Sequence, residues 1–152
     1  MNVLVRGATV KDLDAMVRLL GVLFSIESDF RPDPSRQRRG LAMLLGDPRS
    51  AVLVAEVQGT VVGMATVQLL VSTAEGDLSG LVEDVVVDES TRRAGVGSLL
   101  VEACEQWARA RNATRLQLLA DRDNAPALAF YARRGWRHTR LACMRKGGIP
   151  TP

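Results

Sequence analysis

The chain has 152 residues, of which 47% are hydrophobic and 24% are charged, and its formal net charge is +3. This length and composition predict one domain over residues 1–146 with its own core, followed by a loose tail over residues 147–152. Aromatic residues make up only 4% of the chain and no basic run is dense, so we expect no nucleic-acid partner. The longest apolar stretch is broken by Glu56, Gln58 and Gly59, and the N-terminus lacks a signal pattern. We therefore expect a cytoplasmic protein with no membrane partner.

The first half of the chain predicts a strand, two helices and a hairpin. "NVLVRGA" is typical of a strand, and apolar residues recur at helical spacing from Leu13 onward, behind a capping box of Thr9 and Asp12. A second helix is predicted to begin near Pro34 and to end by Gly46. "AVLVAEV" and "VVGMATVQLLV" are separated by "QGT", which indicates a hairpin.

The second half predicts strands that alternate with helices. "LVEDVVV" is β-branched and apolar, which favours a mostly buried strand. A helix is predicted from Val96, then a strand at "TRLQLLA", a helix at "NAPALAFYARRG" capped by Asn124, and a last strand at "WRHTRLACMRK". The predicted order is β-α-α-β-β-β-α-β-α-β, an α/β fold with helices on a mixed sheet.

The stretch "RRAGVGS" lies between a predicted strand and a predicted helix. The first amides of a helix have no partner inside it, and its dipole favours a nearby negative charge, so this arrangement can bind an anion. Arg92 and Arg93 could add charged contacts to phosphate oxygens. The dinucleotide pattern fails because Leu100 stands where the third glycine is needed, and the P-loop pattern fails as well. A purely structural turn remains the alternative.

Taken together, four segments resemble the GCN5-related N-acetyltransferase (GNAT) family. "RRAGVG" resembles its coenzyme A loop, [Q/R]-x-x-G-x-[G/A], and "EDVVVDESTRRAGVGSLLV" resembles its strand-loop-helix core. "VLVRGATVKDLDAM" is similar to its first strand and helix, and "NAPALAFYARRGWR" to a later motif. One departure is Glu89, which stands where a proline is common. The resemblance implies a mostly antiparallel central sheet flanked by helices, acetyl-CoA as cosubstrate and no metal.

The resemblance also assigns residues to the cosubstrate. It implies that backbone amides of the glycine loop hold the pyrophosphate of acetyl-CoA, and that a strand backbone pairs with the pantetheine arm. The implied cofactor-binding residues are Val85, Val86, Val87, Arg92, Arg93, Ala94, Gly95, Val96, Gly97, Ser98 and Asn124.

Acetyl transfer to an amine requires that the amine be neutral. An amine with a pKa of about 10.4 is protonated at pH 7 by ~3.4 pH units, or ~4.6 kcal/mol, so a base or a water chain to one is expected. The departing thiolate needs a proton donor, and Tyr131, the only tyrosine, matches the family's usual acid. The alternative for Tyr131 is a helix tyrosine that packs on its sheet.

Glu83 and Asp84 are the candidate bases. They are consecutive on a predicted strand, so they are expected to face opposite ways. We favour Glu83 as the base, with Asp84 and a distant water relay as alternatives. The non-catalytic interpretation is that one of these acids is only solvated or paired with an arginine. "VEDVVV" resembles glucosamine-6-phosphate acetyltransferases, which favours a small-molecule acceptor.

In this family the segment between the first two helices often shapes the acceptor pocket. Here Glu27 and Asp29 could attract an amine, Phe24 and Phe30 could form the walls of the pocket, and Arg31 could hold a carboxylate or phosphate. A solvated loop is the alternative. The predicted activity is acetyl-CoA-dependent N-acetyl transfer directly to a primary amine of a small molecule. The alternatives are a protein or peptide N-acetyltransferase, a transferase that acts on aminoacyl-tRNA, and a coenzyme A-binding module without turnover. The resemblance also allows a homodimer.

Overall fold

The computed structural model describes residues 1–27 and 29–148. Two compact units divide the chain, Met1–Leu118 and Leu119–Pro152, and each is described by itself. The first unit contains every strand of the described residues and the three longest helices, and the second contains one helix. The predicted loose tail over residues 147–152 falls mostly outside the described residues, since residues 149–152 are not among them.

The predicted fold class is confirmed: a five-stranded mixed sheet is flanked by helices. Short 3-10 turns at Val10–Asp12 and Glu89–Thr91 lie just before two of the helices. In chain order the elements are β1 (Leu4–Gly7), α1 (Leu13–Ile26), α2 (Pro34–Gly46), β2 (Ser50–Val57), β3 (Thr60–Ser72), β4 (Asp77–Val87), α3 (Val96–Arg109), β5 (Ala113–Leu118) and α4 (Ala125–Arg133).

The last predicted strand, at "WRHTRLACMRK", is wrong. The described residues after α4 contain no strand, and residues 137–148 are all exposed. Leu141 and Met144, two of its apolar side chains, are 89% and 94% exposed. Three arginines and one lysine lie in this segment. It therefore buries no apolar face that could offset the entropy cost of ordering a strand.

The sheet has the strand order β1-β2-β3-β4-β5. The pairs from β1 to β4 are antiparallel, and β4 and β5, joined through α3, are parallel. The β4–β5 pairing ends at Val82 and Leu118, whereas β3 continues beside β4 as far as Val87. The last residues of β4 therefore have a strand on one side only within this unit.

Helices cover both faces of the sheet. Met16 and Leu19 of α1 and Leu41 of α2 pack with Val54 and Met64 in one fully buried cluster. On the opposite face α3 packs against β2, β3 and β4. A Cβ atom on Gly63 would lie 3.0 Å from Leu100 Cδ1, so the glycine allows α3 to approach the strand closely.

A salt-bridged cluster holds the start of α1 against the sheet. Arg6 lies 2.8 Å from Asp12 and 2.8 Å from Glu56, joining β1, the turn before α1 and β2. The Thr9 amide donates to Asp12 at 2.8 Å, and the Lys11 amide donates to the Thr9 hydroxyl at 3.3 Å. The predicted capping box is thus confirmed. Hydrogen bonds from Arg6, more than any other cause, hold the pKa of Asp12 below its usual range.

Candidate functional site

The glycine loop begins where β4 ends. The Asp88 side chain accepts hydrogen bonds from Ser90 and from Arg18 of α1, which fixes the exit of the strand. Arg93 and Gly95 then adopt left-handed backbone conformations, with φ of +66° and +81°. An added Cβ at Gly95 would meet no atom within 4 Å, so the glycine serves the backbone conformation rather than packing. The same open space leaves the loop accessible to a ligand.

The loop ends in the first turn of α3. The Leu99 amide donates to the Gly95 carbonyl at 3.2 Å. The amides of Val96, Gly97 and Ser98 precede this bond, so by helix geometry they have no partner in their own helix. Such amides, with the helix dipole behind them, suit an anion such as a pyrophosphate. Arg92 donates from Nε to the Val87 carbonyl at 3.3 Å, which holds the loop against the strand end.

The end of β4 presents a backbone edge beside this loop. Val86 is buried in the core with Met64, whereas Val85 and Val87 are half-buried. Among the strands of the described residues, only β3 pairs with this part of β4. The edge is therefore suited to an extended ligand that forms strand-like hydrogen bonds.

A cavity of about 1180 Å³ lies on the face of the sheet that carries α1 and α2. Phe24 of α1 and Phe30 of the following loop form part of its wall, with ring centroids 5.5 Å apart. The sheet contributes Gln68 of β3 and Asp84 of β4. The ionisable residues among its described lining are Asp29, Asp33, Asp47, Asp84, Arg31 and Arg36, so carboxylates outnumber arginines.

Asp84 lies in a β-bulge. Met64 pairs with Val86 and Thr66 pairs with Glu83, so one residue of β3 faces two residues of β4. Asp84 has a φ of +53°, a conformation that Asp tolerates better than most residues. The hydroxyl of the buried Thr66 donates to the Glu83 carbonyl at 3.1 Å, which satisfies a backbone group at the bulge.

The carboxyl of Asp84 has a pKa near neutrality. Burial, followed by the negative charges of Glu83 and Glu27, raises the pKa of Asp84 to about 7. A carboxylate with this pKa can accept a proton at neutral pH more readily than an ordinary aspartate. A carboxyl with a pKa raised in this way, on the wall of a cavity, is a candidate catalytic group.

The expectation that Glu83 and Asp84 face opposite ways depended on strict strand alternation, which the bulge breaks. Glu83 shares its face with Val86 rather than with Val85 and Val87, because the extra residue shifts the alternation. The Glu83 side chain is exposed and is not among the residues that line the cavity. Of the two acids, only Asp84 lines it.

Most of the predicted acceptor residues come together here. Phe24, Asp29 and Phe30 line the cavity with Asp84. Glu27 follows the last turn of α1 and is not part of the lining, but its charge acts on Asp84. The neighbouring Ser28 lies outside the described residues.

The second unit contains the two remaining predicted site residues. The Asn124 side chain accepts a hydrogen bond from the Ala127 amide at 3.2 Å, which confirms it as the cap of α4. The Tyr131 ring lies 5.1 Å from Phe130 and 5.9 Å from Trp136, in edge-on contacts. The cofactor role of Asn124 and the acid role of Tyr131 stay predictions.

The sequence model of the acetyltransferase (GNAT) family matches residues 14–136, a range that contains the cavity, the glycine loop and Tyr131. The chain belongs to the GNAT family. Acetyltransferases of this family use acetyl-CoA, and the open glycine loop with its amides fits the pyrophosphate of that cosubstrate.

Three relatives illustrate how this acetyltransferase compares with known proteins. The aminoalkylphosphonate N-acetyltransferase of Salmonella typhimurium (strain LT2) is 28% identical over 88% of this chain and 84% of its own length. The Bacillus subtilis (strain 168) protein YxbD is 39% identical, but the match spans only 39% of this chain and 37% of that protein. A crystal structure from Bacillus halodurans C-125, described as a transcriptional regulator, superposes with a TM-score of 0.84 at 27% identity. That superposition covers 96% of this chain and 100% of that chain.

The sequence analysis missed one residue that lines the cavity, Gln37, although the sequence indicated that it would be buried. Gln37 of α2 is 7% exposed and lines the cavity, and neither Oε1 nor Nε2 has a hydrogen-bond partner among the described residues. It lies four residues before Leu41 and seven before Leu44, at helical spacing. A polar residue on the apolar face of a helix was the signal.

Metal sites and membrane-spanning helices are both absent from the described residues. Over residues 1–27 and 29–148, no group of three or more His, Cys, Asp or Glu side chains is arranged to hold a metal ion. None of the helices in the same ranges has the length and apolar character needed to cross a bilayer.

Proposed function

We propose that this protein is an N-acetyltransferase that moves the acetyl group of acetyl-CoA directly to a primary amine of a small molecule. The observation that carries the proposal is Asp84: a half-buried carboxyl with a pKa raised to about 7, on the wall of an acidic cavity. It lies on the strand that leads directly into the glycine loop. An amine acceptor and an anionic cosubstrate would therefore both find complementary groups on this strand and loop.

The proposed cosubstrate site lies along this strand and loop. The amides of residues 93–98 would hold the pyrophosphate, and the open edge at Val85–Val87 would pair with the pantetheine arm. Bound there, acetyl-CoA supplies the acetyl group as a reactive thioester. Both loop arginines are exposed. Arg92 donates to the Val87 carbonyl through Nε, so its two terminal nitrogens lie outside that hydrogen bond. Both arginines could add charge to the anion site.

Asp84 would act as the general base. A protonated amine is attracted by the excess of carboxylates in the cavity and must lose a proton before it attacks the thioester. A carboxylate with a pKa of about 7 accepts that proton at a smaller free-energy cost than one with an ordinary pKa near 4. Glu83, now the alternative base, would have to act through water because it does not line the cavity.

Tyr131 would act as the general acid that protonates the departing thiolate. This role comes from the family resemblance of "NAPALAFYARRGW" and is tested by removing the hydroxyl alone. In Tyr131→Phe, kcat at saturating substrates should fall by a factor of about 10² to 10⁴. An unchanged kcat would exclude Tyr131 from the role.

The small-molecule acceptor is supported by the Salmonella typhimurium relative, whose name specifies an aminoalkylphosphonate. A protein or peptide N-terminus, a lysine side chain and an aminoacyl-tRNA are alternative acceptors, and a coenzyme A-binding module without turnover is the non-enzymatic alternative. We also expect a cytoplasmic enzyme, with a homodimer as the state to test by size-exclusion chromatography.

Thiol release from acetyl-CoA separates these functions. The purified chain is supplied with a panel of free amines, with peptides and with charged tRNA, and the acetylated product is identified by mass spectrometry. Acetylation of free amines is the expected result. Acetylation only of peptides or tRNA would replace the proposed acceptor. Binding of acetyl-CoA without turnover on any of them would contradict the enzymatic function.

A further inference from the structure

Two side chains meet where β4 passes into the glycine loop. Arg18 of α1 donates from Nη1 to Asp88 Oδ2 at 2.7 Å and from Nη2 to the Val61 carbonyl of β3 at 3.1 Å. The guanidinium is therefore held at two points, one on the sheet and one on the first residue after β4. Because the guanidinium is planar and rigid, these two contacts fix the direction in which it meets Asp88.

The other oxygen of Asp88 holds the next part of the chain. Asp88 Oδ1 accepts from the Ser90 amide at 3.2 Å and from the Ser90 hydroxyl at 2.9 Å. The Asp88 carbonyl accepts from the Thr91 amide at 3.0 Å, and the Thr91 carbonyl accepts from the Ala94 amide at 3.4 Å. These contacts run without a break from Arg18 into the glycine loop. The place of Arg18 on α1 therefore determines where the loop begins.

We infer that Arg18 is a positioning residue for acetyl-CoA, which holds the glycine loop, through Asp88, in the conformation that binds the pyrophosphate. The inference rests on the cosubstrate site proposed above and adds to it a residue outside the loop motif, 70 positions before Asp88. A loop that is already ordered loses less conformational entropy when its ligand binds, so the ligand binds more tightly. Without the ion pair, the loop would adopt the binding conformation for a smaller fraction of the time.

The backbone of the loop explains why it needs this support. Arg93 has a φ of +66°, a conformation that a residue with a Cβ atom adopts only at a cost. Such a conformation persists only where the surrounding contacts enforce it. The amides of Val96, Gly97 and Ser98 follow Arg93 and, by helix geometry, have no partner in their own helix. Their direction therefore depends on the loop that precedes them.

The structural alternative is that this ion pair only holds α1 against the sheet. The chain provides a matched control for that role, because Arg38 of α2 forms an ion pair with Asp14, which is also on α1. The Arg18 and Arg38 side chains are 48% and 49% exposed, so the two arginines are similarly solvated. The control pair joins two helices and does not include a residue of the loop. A purely structural role predicts the same result for both arginines.

The test measures the dissociation constant of coenzyme A by isothermal titration calorimetry, without an acceptor. Arg18→Met keeps an unbranched side chain that suits a helix but removes the charge and both donors. We expect it to raise the dissociation constant roughly 3- to 10-fold, whereas Arg38→Met should stay within about 2-fold of wild type. Arg18→Lys, which keeps a charge for Asp88, should restore part of the loss. All proteins are compared well below their melting temperatures, so that unfolding does not contribute.

A double-mutant cycle checks that the effect of Arg18 passes through Asp88. Asp88→Asn keeps an oxygen for Ser90 but loses the negative charge that pairs with Arg18. The losses of affinity in Arg18→Met and Asp88→Asn should be non-additive, because both substitutions remove the same interaction. Additive losses would contradict the inference.

The kinetic constants provide a result that a general distortion of the fold would not give. In Arg18→Met the KM for acetyl-CoA should rise, while kcat and the KM for the amine stay within about 2-fold of wild type. S-acetyl-pantetheine, a donor without the pyrophosphate, should be used equally well by both proteins. An equal loss with the two donors would overturn the inference, and so would equal losses of affinity in Arg18→Met and Arg38→Met.

Failure of the inference and failure of the proposed function give different results. If wild type binds coenzyme A but acetylates no free amine, the proposed acceptor fails, and the calorimetric comparison still tests Arg18. If wild type does not bind coenzyme A, the proposed function and the inference both fail. If wild type and Arg18→Met bind coenzyme A equally well, only the inference fails.

Discussion

Two groups of carboxylates in the first unit have opposite electrostatics. In the cluster at the start of α1, the Arg6 guanidinium contacts Asp12 and Glu56 at 2.8 Å each, and the pKa of Asp12 is lowered. In the cavity, Asp84 is half-buried near the charges of Glu83 and Glu27, and its pKa is raised to about 7. The first group pairs its charges, whereas the second brings like charges together.

The difference distinguishes a structural cluster from the cavity for which we propose a function. A paired carboxylate stabilises the folded state whenever it is ionised, so the Arg6 cluster contributes to stability at neutral pH. A buried carboxylate beside other acids destabilises the folded state once ionised, and such costs are typical of sites maintained for chemistry. Gln37, whose buried amide has no hydrogen-bond partner among the described residues, lines the same cavity.

The largest expected effect is on catalysis, in Asp84→Asn. Asparagine keeps the shape and tolerates the left-handed backbone at this position, but it cannot accept the proton of the amine. We expect kcat/KM at pH 8 to fall by a factor of about 10² to 10⁴. The wild-type rate should decline as pH falls below about 7, and the variant should lose this acidic limb.

The matched control for that prediction is Glu83→Gln, which changes the neighbouring acid outside the cavity. It should keep the acidic limb, shifted slightly to lower pH because one like charge near Asp84 is gone. Loss of the limb in Glu83→Gln and its survival in Asp84→Asn would reverse the assignment of the base.

The second effect is on stability, in Arg6→Ala. The substitution leaves Asp12, only 7% exposed, without its main charged partner. We expect the free energy of unfolding to fall by about 2–3 kcal/mol in denaturant titrations, with kcat/KM of the folded protein nearly unchanged. Arg38→Ala, which removes an ion pair to the largely exposed Asp14, should cost under ~1 kcal/mol. Equal losses in the two variants would mean that the cluster is not a structural anchor.

Local sequence signals account for most of the fold. The Thr9 capping box, Pro34 in the first turn of α2 and the Asn124 cap each act within a few residues, so sequence alone places them. The final strand failed because a strand depends on a partner and on a buried face, which local pattern cannot supply. The bulge at Asp84 was missed for a related reason: it depends on how β3 pairs with β4, and no glycine marks it.

Sequence alone predicted those parts of the candidate site whose residues lie close together along the chain. The glycine loop is a contiguous motif, and Gly95 in it has the left-handed backbone conformation that favours glycine. Choosing between Glu83 and Asp84 needed the bulge, because alternation fails there. Gln37 is separated from Asp84 by 47 positions, and only the folded chain brings both to one cavity.

The smallest effect, and the most direct comparison of the two regions, is the pH dependence of stability. The folded-state pKa of Asp84 lies above its unfolded value of 3.8, so the folded state binds more protons and stability falls as pH rises from about 4 through about 7. Asp84→Asn lacks this decline. Its melting temperature should therefore exceed that of wild type by a few degrees at pH 8, and by less at pH 5.

Asp12→Asn should change the pH dependence of stability in the opposite direction. The folded-state pKa of Asp12 is lowered, so its contribution is present above the unfolded pKa and disappears as pH falls below about 4 through the folded value. This variant should melt below wild type at pH 7, and the difference should shrink in acid. If Asp84→Asn instead melts below wild type at pH 8 by as much as Asp12→Asn does at pH 7, Asp84 must have a stabilising partner of its own. The cavity carboxylate would then be structural, and the distinction between the two regions would fail.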